Sequence, residues 1–218
     1  MRTFDAEFQA LTGVSPFPWQ ADLFDRFVSD SQENIPQACL LPTGLGKTSV
    51  IAVWLIALAH RPERMPRRLV YVVNRRTVVD QTTVEVERYR ERLKDSGLHD
   101  PLEQLCAFKA ADWHDDKNPF VPLAISTLRG QFADNRAWSA DPARPAVVVG
   151  TVDMIGSRLL FSGYNVGFKG RPLHAGFLGQ DSLIVHDEAH LEPAFQKLLQ
   201  RIETEQGRCQ EFRPLRVM

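Results

Sequence analysis

Short, continuous apolar runs alternate along the chain with longer segments whose apolar positions recur at helical spacing. Residues 37–41 (QACLL), 69–73 (LVYVV), 123–126 (LAIS), 146–151 (AVVVGT) and 183–186 (LIVH) are of the first kind. Runs without polar alternation suit strands buried on both faces of a parallel sheet. Residues 22–28 are of the second kind, with Leu23, Phe24, Phe27 and Val28 on one face. Residues 48–60 are apolar nearly all round, the pattern of a helix packed deep between a sheet and its neighbours. Over residues 77–94, Val79, Val86 and Leu93 recur at intervals of seven, with Thr82 and Tyr89 between them. The charges of residues 85–94 read as the solvated face of that helix, laced by i,i+3 and i,i+4 ion pairs. Alternation of this kind predicts an α/β fold of three layers, with a mainly parallel sheet and right-handed crossovers. Residues 95–146 are less regular, rich in Pro and Asp, and read as an elaboration within the domain. With no repeat, low-complexity tract or Ser/Gly linker to divide it, the chain of residues 1–218 reads as one domain.

Composition removes several classes. A 44% hydrophobic, 24% charged chain is an ordinary folded one and excludes intrinsic disorder. The longest apolar run, residues 50–59, has ten residues, about half of what a membrane crossing needs. The first residues carry Asp5 and Glu7 and lack the apolar stretch of a secretory signal. Cys39, Cys106 and Cys209 are too widely spaced for a disulfide framework or a zinc site. The expectation is a cytoplasmic protein with no membrane partner. Basic and acidic side chains nearly balance, 26 against 27, so no global field advertises nucleic acid. The basic set is lopsided, 20 arginines against 6 lysines. Arginine's planar fork suits phosphate recognition, and a compositional bias of the genome explains the ratio equally well.

The chemistry begins at residues 41–48, LPTGLGKT, where an apolar run ends and the long apolar helix begins. That is the setting of a phosphate-binding loop. Gly44 and Gly46 permit positive φ, so the backbone N–H groups of Thr43, Gly44, Leu45 and Gly46 can turn toward phosphate oxygens. The helix N-terminus beneath adds partial positive charge. Lys47 would reach the β- and γ-phosphates and the Thr48 hydroxyl would coordinate Mg2+. The general pattern GxxxxGK[ST] is not met, because its first glycine would fall on Leu41. The variant PTGxGKT is that of superfamily 2 helicases and translocases.

A second site element follows the run 183–185, which leads into HDEAH at residues 186–190. An acidic pair at the carboxyl end of a parallel strand lies in the crevice where such sheets bind ligands. Asp187 would hold Mg2+, Glu188 would orient and deprotonate the attacking water, and His190 would couple the site to whatever closes over it. The His186-Asp187 dipeptide also raises an HD-type phosphohydrolase, but His60, His99, His114 and His174 show no paired ligand spacing. No Asn-Lys-x-Asp segment occurs to read guanine, and no LSGGQ segment precedes the acidic pair. FPWQ, residues 17–20, places Gln20 27 residues before Lys47. It resembles the adenine-reading glutamine of superfamily 2, whose side-chain amide pairs with N6 and N7 as glutamine does in DNA. A polar residue opening the following helix is the plainer reading of Gln20. ATP with Mg2+ is the expected cofactor pair.

Further segments make the resemblance specific: YVVNRRTVVDQ (71–81), TLRGQ (127–131), GTVDMIGSRLL (150–160) and HDEAHLEPAF (186–195). In this order, over residues 17–218, they resemble the first motor domain of the CRISPR-associated DEAH-box superfamily 2 helicase of type I interference systems, nearest the I-U (I-G) branch. The resemblance implies a P-loop NTPase (RecA-like) fold and an ATP-dependent DNA helicase or translocase of antiviral defence. It implies two partners, single-stranded DNA and, through the full-length protein, a CRISPR RNA-guided surveillance complex. It also implies DNA contacts at Asn74, Arg75, Arg76 and Thr77, at Arg129 and Gly130, and at Thr151, Asp153, Ser157 and Arg158. Each of these segments follows an apolar run, so its polar groups would emerge at one end of the sheet and track a strand's phosphates. A helix-start surface pair for Arg75 and Arg76, and an internal salt bridge for Arg158, remain open. His174 matches the family without a chemical role.

The family's second RecA-like domain and HD nuclease are not found in these residues, and 214–218 (PLRVM) reads as the opening of a further strand. The expectation is the ATP-binding half of a helicase, residues 1–36 carrying the adenine motif, with weak hydrolysis alone. The alternatives are a restriction-type translocase and a non-catalytic single-strand-binding fragment.

Overall fold

The computed structural model describes residues 3–31, 33–42, 44–112, 120–128 and 141–218. Four of the apolar runs form strands: β1 (Arg68–Val73), β2 (Ala124–Leu128), β3 (Ala146–Thr151) and β4 (Ser182–His186). A two-residue strand, β5 (Arg216–Val217), opens where residues 214–218 predict one. The sheet runs β2-β3-β1-β4-β5 and every pairing in it is parallel. β1 sits at its centre, with Arg68 opposite Ala146 on one side and Ser182 on the other. All six of its residues are buried, as the continuous apolar run requires.

Side chains of alternate parity enter two cores. Leu69, Tyr71 and Val73 of β1, with Val147, Val149, Leu183 and Val185, face the first. Over it lie α1 (Phe4–Thr12), α2 (Pro18–Val28), α3 (Val50–His60), α4 (Arg76–Glu91) and two short helices, α5 (Leu93–Ser96) and α6 (His99–Glu103). Val70 and Val72, with Val148 and Ile184, face the second core, covered by α7 (Val152–Leu159), α8 (Arg171–Gly179) and α9 (Pro193–Arg208). The expected three layers follow from this division. The expected deep helix is α3, whose residues from Val50 to Leu58 are all buried between the sheet and its neighbours α1, α2 and α6. The seven-residue stripe Val79, Val86 and Leu93, with Thr82 and Tyr89, is buried throughout. Among the described residues, no helix is long and apolar enough to cross a membrane.

One expected strand does not form. Residues 37–41 are irregular, and Leu40 is 95% exposed. An apolar run becomes a strand only when a neighbour supplies hydrogen-bond partners, and the position beside β4 is taken by β5. Two residues of β5 pair with Leu183 and Ile184, and residues 37–41 join no ladder. Residues 95–146, expected to be irregular, supply α6 and the edge strand β2 among their described part.

Candidate active site

The carboxyl ends of β1, β3 and β4 open at one edge of the sheet, and the loop before α3 reaches the same edge. Gly44 and Gly46 have φ of 89° and 66°, the left-handed region that the turn into the helix demands. A 3-10 turn, Lys47–Ser49, then leads into α3. The loop is clamped from outside by α2. Trp19 Nε1 donates to the Leu45 carbonyl at 3.0 Å, and Gln20 Nε2 donates to Ser49 Oγ. Ser49 Oγ in turn donates to the Gly46 carbonyl at 2.5 Å. Gln20 Oε1 accepts from the Phe17 N–H at 2.7 Å, so its amide is engaged at both ends while the side chain is buried.

The acidic pair meets this loop. β4 pairing continues past the strand, with the Asp187 N–H donating to the Val72 carbonyl at 3.0 Å. Tyr71, reaching out of β1, donates its hydroxyl to Asp187 Oδ2 at 3.0 Å, with the Thr48 side chain beside the same phenol. Thr48 and Asp187, 139 residues apart in sequence, therefore lie about one phenol, which is bonded to Asp187. Burial, then the neighbouring Asp187 charge, pushes the Tyr71 hydroxyl well above its ordinary range, so it stays a donor. A threonine hydroxyl and a carboxylate oxygen are both hard donors of the kind that suits Mg2+.

Glu188 follows with φ of 54°, a left-handed conformation that turns its exposed side chain away from the strand direction. A cleft of about 920 Å3 is lined by Lys47, Tyr71, Asp187, Glu188 and His190, with residues 37–42 as its other wall. No arginine lines it among the described residues. His186, just before the pair, lies buried with its ring edge-on to Phe195, the centroids 5.0 Å apart, and Nδ1 3.1 Å from Gln196 Oε1. His60 instead pairs with Glu7 at 2.7 Å, joining α3 to α1. His99 lies beside Asp100 and Glu103, His174 is buried in α8, and His114 lies outside the described residues.

The residues expected to meet nucleic acid divide. Arg75, Arg76 and Thr77 are exposed at the start of α4, on the edge that carries the cleft. Asn74, also expected to contact nucleic acid, does not present its amide there, since both amide atoms are shut off from solvent. Thr151 is half-buried at the end of β3 and Asp153 is exposed. Ser157 donates to the Met154 carbonyl at 3.3 Å. Arg158 is inside: 3% exposed, its Nη1 donates to the Met154 carbonyl at 3.0 Å, so no guanidinium reaches the surface there. The helical spacing of α7 explains this, since Met154, Ile155, Arg158 and Leu159 share the face turned to the second core. Thr43, Arg129 and Gly130 lie outside the described residues.

Tyr71, Trp19 and Gln196 were not legible as site residues. A tyrosine in an otherwise aliphatic strand reads as core, and only the register of β1 against β4 brings its hydroxyl to Asp187. The signal available was parity: residue 71 shares its face with 69 and 73, the face that α3 covers.

A family model described as the type III restriction enzyme, res subunit, matches residues 13–207. No curated protein matches the chain.

Proposed function

Because the chain belongs to the family of the type III restriction enzyme res subunit, a superfamily 2 helicase-like motor, we propose that its cleft binds Mg-ATP and couples hydrolysis to movement along nucleic acid. The observation that supports this most is the Tyr71 hydroxyl, which is bonded to the Asp187 of the acidic pair and lies beside the Thr48 of the phosphate loop. In this reading Lys47 and the N–H groups of residues 43–46 bind the phosphates, and Thr48 and Asp187 hold Mg2+. The ion, when bound, offsets charge on the β- and γ-phosphate oxygens. Glu188 takes a proton from the attacking water, and His190 at the cleft rim answers closure. Gln20 reads adenine by exchanging its present hydrogen bonds, to the Phe17 N–H and to Ser49, for bonds to the base.

An arginine supplied from outside is worth about 10³ to 10⁵ in rate in comparable phosphate-loop enzymes. With no arginine among the described residues lining the cleft, this chain by itself is expected to hydrolyse ATP slowly. Arg75, Arg76 and Thr77 bind single-stranded DNA phosphates at the same edge, with Thr151 and Asp153 beside them. The finer assignment, to the CRISPR-associated helicase of type I systems working with an RNA-guided complex, rests on the segments 71–81, 127–131, 150–160 and 186–195. The restriction-type translocase is the second reading, and the family description is compatible with it.

Hydrolysis measured with single-stranded DNA, plain duplex, and duplex opened by an RNA-guided loop separates the two. Stimulation by single strands and by the opened duplex, lost in Glu188→Gln, is expected. Stimulation by plain duplex alone would favour the restriction-type motor, and DNA binding with no nucleotide affinity would leave a non-catalytic binding fragment.

A further inference from the structure

Asn74 stands at the junction of β1 and α4, directly before the exposed pair Arg75 and Arg76. Its amide nitrogen and oxygen are both shut off from the solvent, and no described residue hydrogen-bonds either atom. An amide has two donors and an acceptor oxygen, and native folds rarely leave such groups buried and unmatched. An orphaned amide in a crevice therefore points to a polar ligand. Here the crevice is a cavity of about 150 Å3 lined by Asn74, Arg75, Asp187 and Glu188. At about 30 Å3 of liquid volume per molecule, it has room for several waters, and its lining supplies the polar partners they need. β1 and β4 are neighbours in the sheet, so Asn74 and the acidic pair occupy matching positions past the ends of paired strands. The Asp187 and Glu188 carboxylates are the groups of this cavity able to receive a proton from water, and Asp187 is already engaged by the Tyr71 hydroxyl.

Resting on the nucleotide reading above, we propose that Asn74 is a positioning residue: its amide holds the water that Glu188 activates, and it makes that hold depend on nucleic acid at Arg75 and Arg76. The water oxygen bonds to the γ-phosphorus as the bond from that phosphorus to the β–γ bridging oxygen breaks. ADP leaves with the electron pair, and the water's proton passes to the Glu188 carboxylate. Asn74 takes no part in the bond changes. It fixes the water in line, through a hydrogen bond that the Asp187 and Glu188 carboxylates cannot donate. A phosphate drawn to Arg75 pulls on the residue adjoining the amide, which is the shortest covalent route from the nucleic-acid edge to the hydrolytic water.

The test compares two ATP mimics on the full chain, with and without excess single-stranded oligonucleotide. ADP–aluminium fluoride resembles the phosphoryl group in transfer with water in line, and ADP–beryllium fluoride resembles bound ATP. Asn74→Ala is expected to weaken ADP–aluminium fluoride about 100-fold in the presence of oligonucleotide, as loss of an oriented donor does. The affinities for ADP–beryllium fluoride and for the oligonucleotide should stay at the wild-type values. Asn74→Ser, which keeps a donor, should recover part of the loss. Asn74→Leu keeps the approximate shape, loses the donor and adds no charge, so it should behave like alanine, and it carries the test if Asn74→Ala does not fold. Unchanged affinity for both mimics, or an equal loss for both, would overturn the role of Asn74 while leaving the nucleotide site standing. A wild-type chain with no affinity for either mimic would overturn the nucleotide reading and this inference with it.

Discussion

The two ends of the same parallel sheet use charged residues in opposite ways. At the amino end, arginines are consumed by the fold. Arg68 is buried, donating to the Pro142 carbonyl at 3.0 Å and the Gln180 carbonyl at 2.7 Å, with its guanidinium over the Phe177 ring. Arg213 pairs with Asp181 at 2.7 Å and donates to the carbonyls of Pro62 and Met65. Arg144 donates to the Val121 and Leu123 carbonyls, and Asp141 accepts from the N–H groups of Ala107, Phe108 and Ala143. These side chains close the loops that enter the strands, where backbone groups have no ladder to join. Burial pulls the Arg68 guanidinium below its ordinary pKa, and the Asp181 charge opposes that shift. At the carboxyl end, Arg75, Arg76, Glu188 and His190 are exposed. The lesson concerns the 20 arginines: their number says nothing about phosphate, because position along the strand decides whether an arginine holds carbonyls or meets a ligand.

The sharpest break of this comparison is expected at the carboxyl end. Glu188→Gln should lower DNA-stimulated hydrolysis by about 100-fold or more while leaving unfolding by urea unchanged, since an exposed side chain away from packed features moves stability by no more than about 0.5 kcal/mol. At the amino end the pattern should invert. Arg68→Ala should cost roughly 3 kcal/mol of stability, the scale of losing two hydrogen bonds from a charged donor, with nucleotide affinity intact. A stability loss below about 1 kcal/mol would show that the amino-end network is dispensable. Between the two lies Tyr71→Phe, which removes the hydroxyl bonded to Asp187. It should cost about 1 kcal/mol of stability and raise the Mg2+ concentration needed for nucleotide binding. Arg75→Ala and Arg76→Ala should each weaken single-strand binding and reduce the slope of log affinity against log salt by about 0.7, the value for one phosphate contact.

The smallest effect is one of pH. Burial is the main cause holding the Tyr71 and Tyr89 hydroxyls protonated above the ordinary range, with Asp187 and Glu85 respectively adding to it. The folded chain therefore keeps protons that the unfolded chain releases above about pH 10. Stability should be full below that pH and fall as pH rises, by up to about 1.4 kcal/mol per unit for each tyrosine. Tyr89→Phe should flatten part of this decline in a urea titration between pH 9 and 11.

Local patterns carried the fold as far as each element's reason for forming was local. The runs at 69–73, 146–151 and 183–186 are apolar because both of their faces are covered, and they form β1, β3 and β4. The glycines and lysine of 44–47 and the acidic pair at 187–188 were legible because their chemistry depends on short spacing and on what precedes them. Residues 37–41 were misread because a strand depends on its neighbour, which no run of side chains encodes. For Arg158 a DNA contact by analogy and an internal role were both open, and it is buried because the helical face of α7 decides its direction. Contacts such as Arg68 to Gln180, or Tyr71 to Asp187, join positions more than a hundred residues apart and depend on strand register.

The central claim is that the cleft between the phosphate loop and the acidic pair is a nucleotide site. Calorimetric titration of Mg-ATP into the chain, into Lys47→Ala and into Glu188→Gln tests it most directly. Saturable binding to the wild type, retained by Glu188→Gln and abolished by Lys47→Ala with the fold intact, is the expected result. Binding that Lys47→Ala leaves untouched, or no binding by the wild type, would contradict the account.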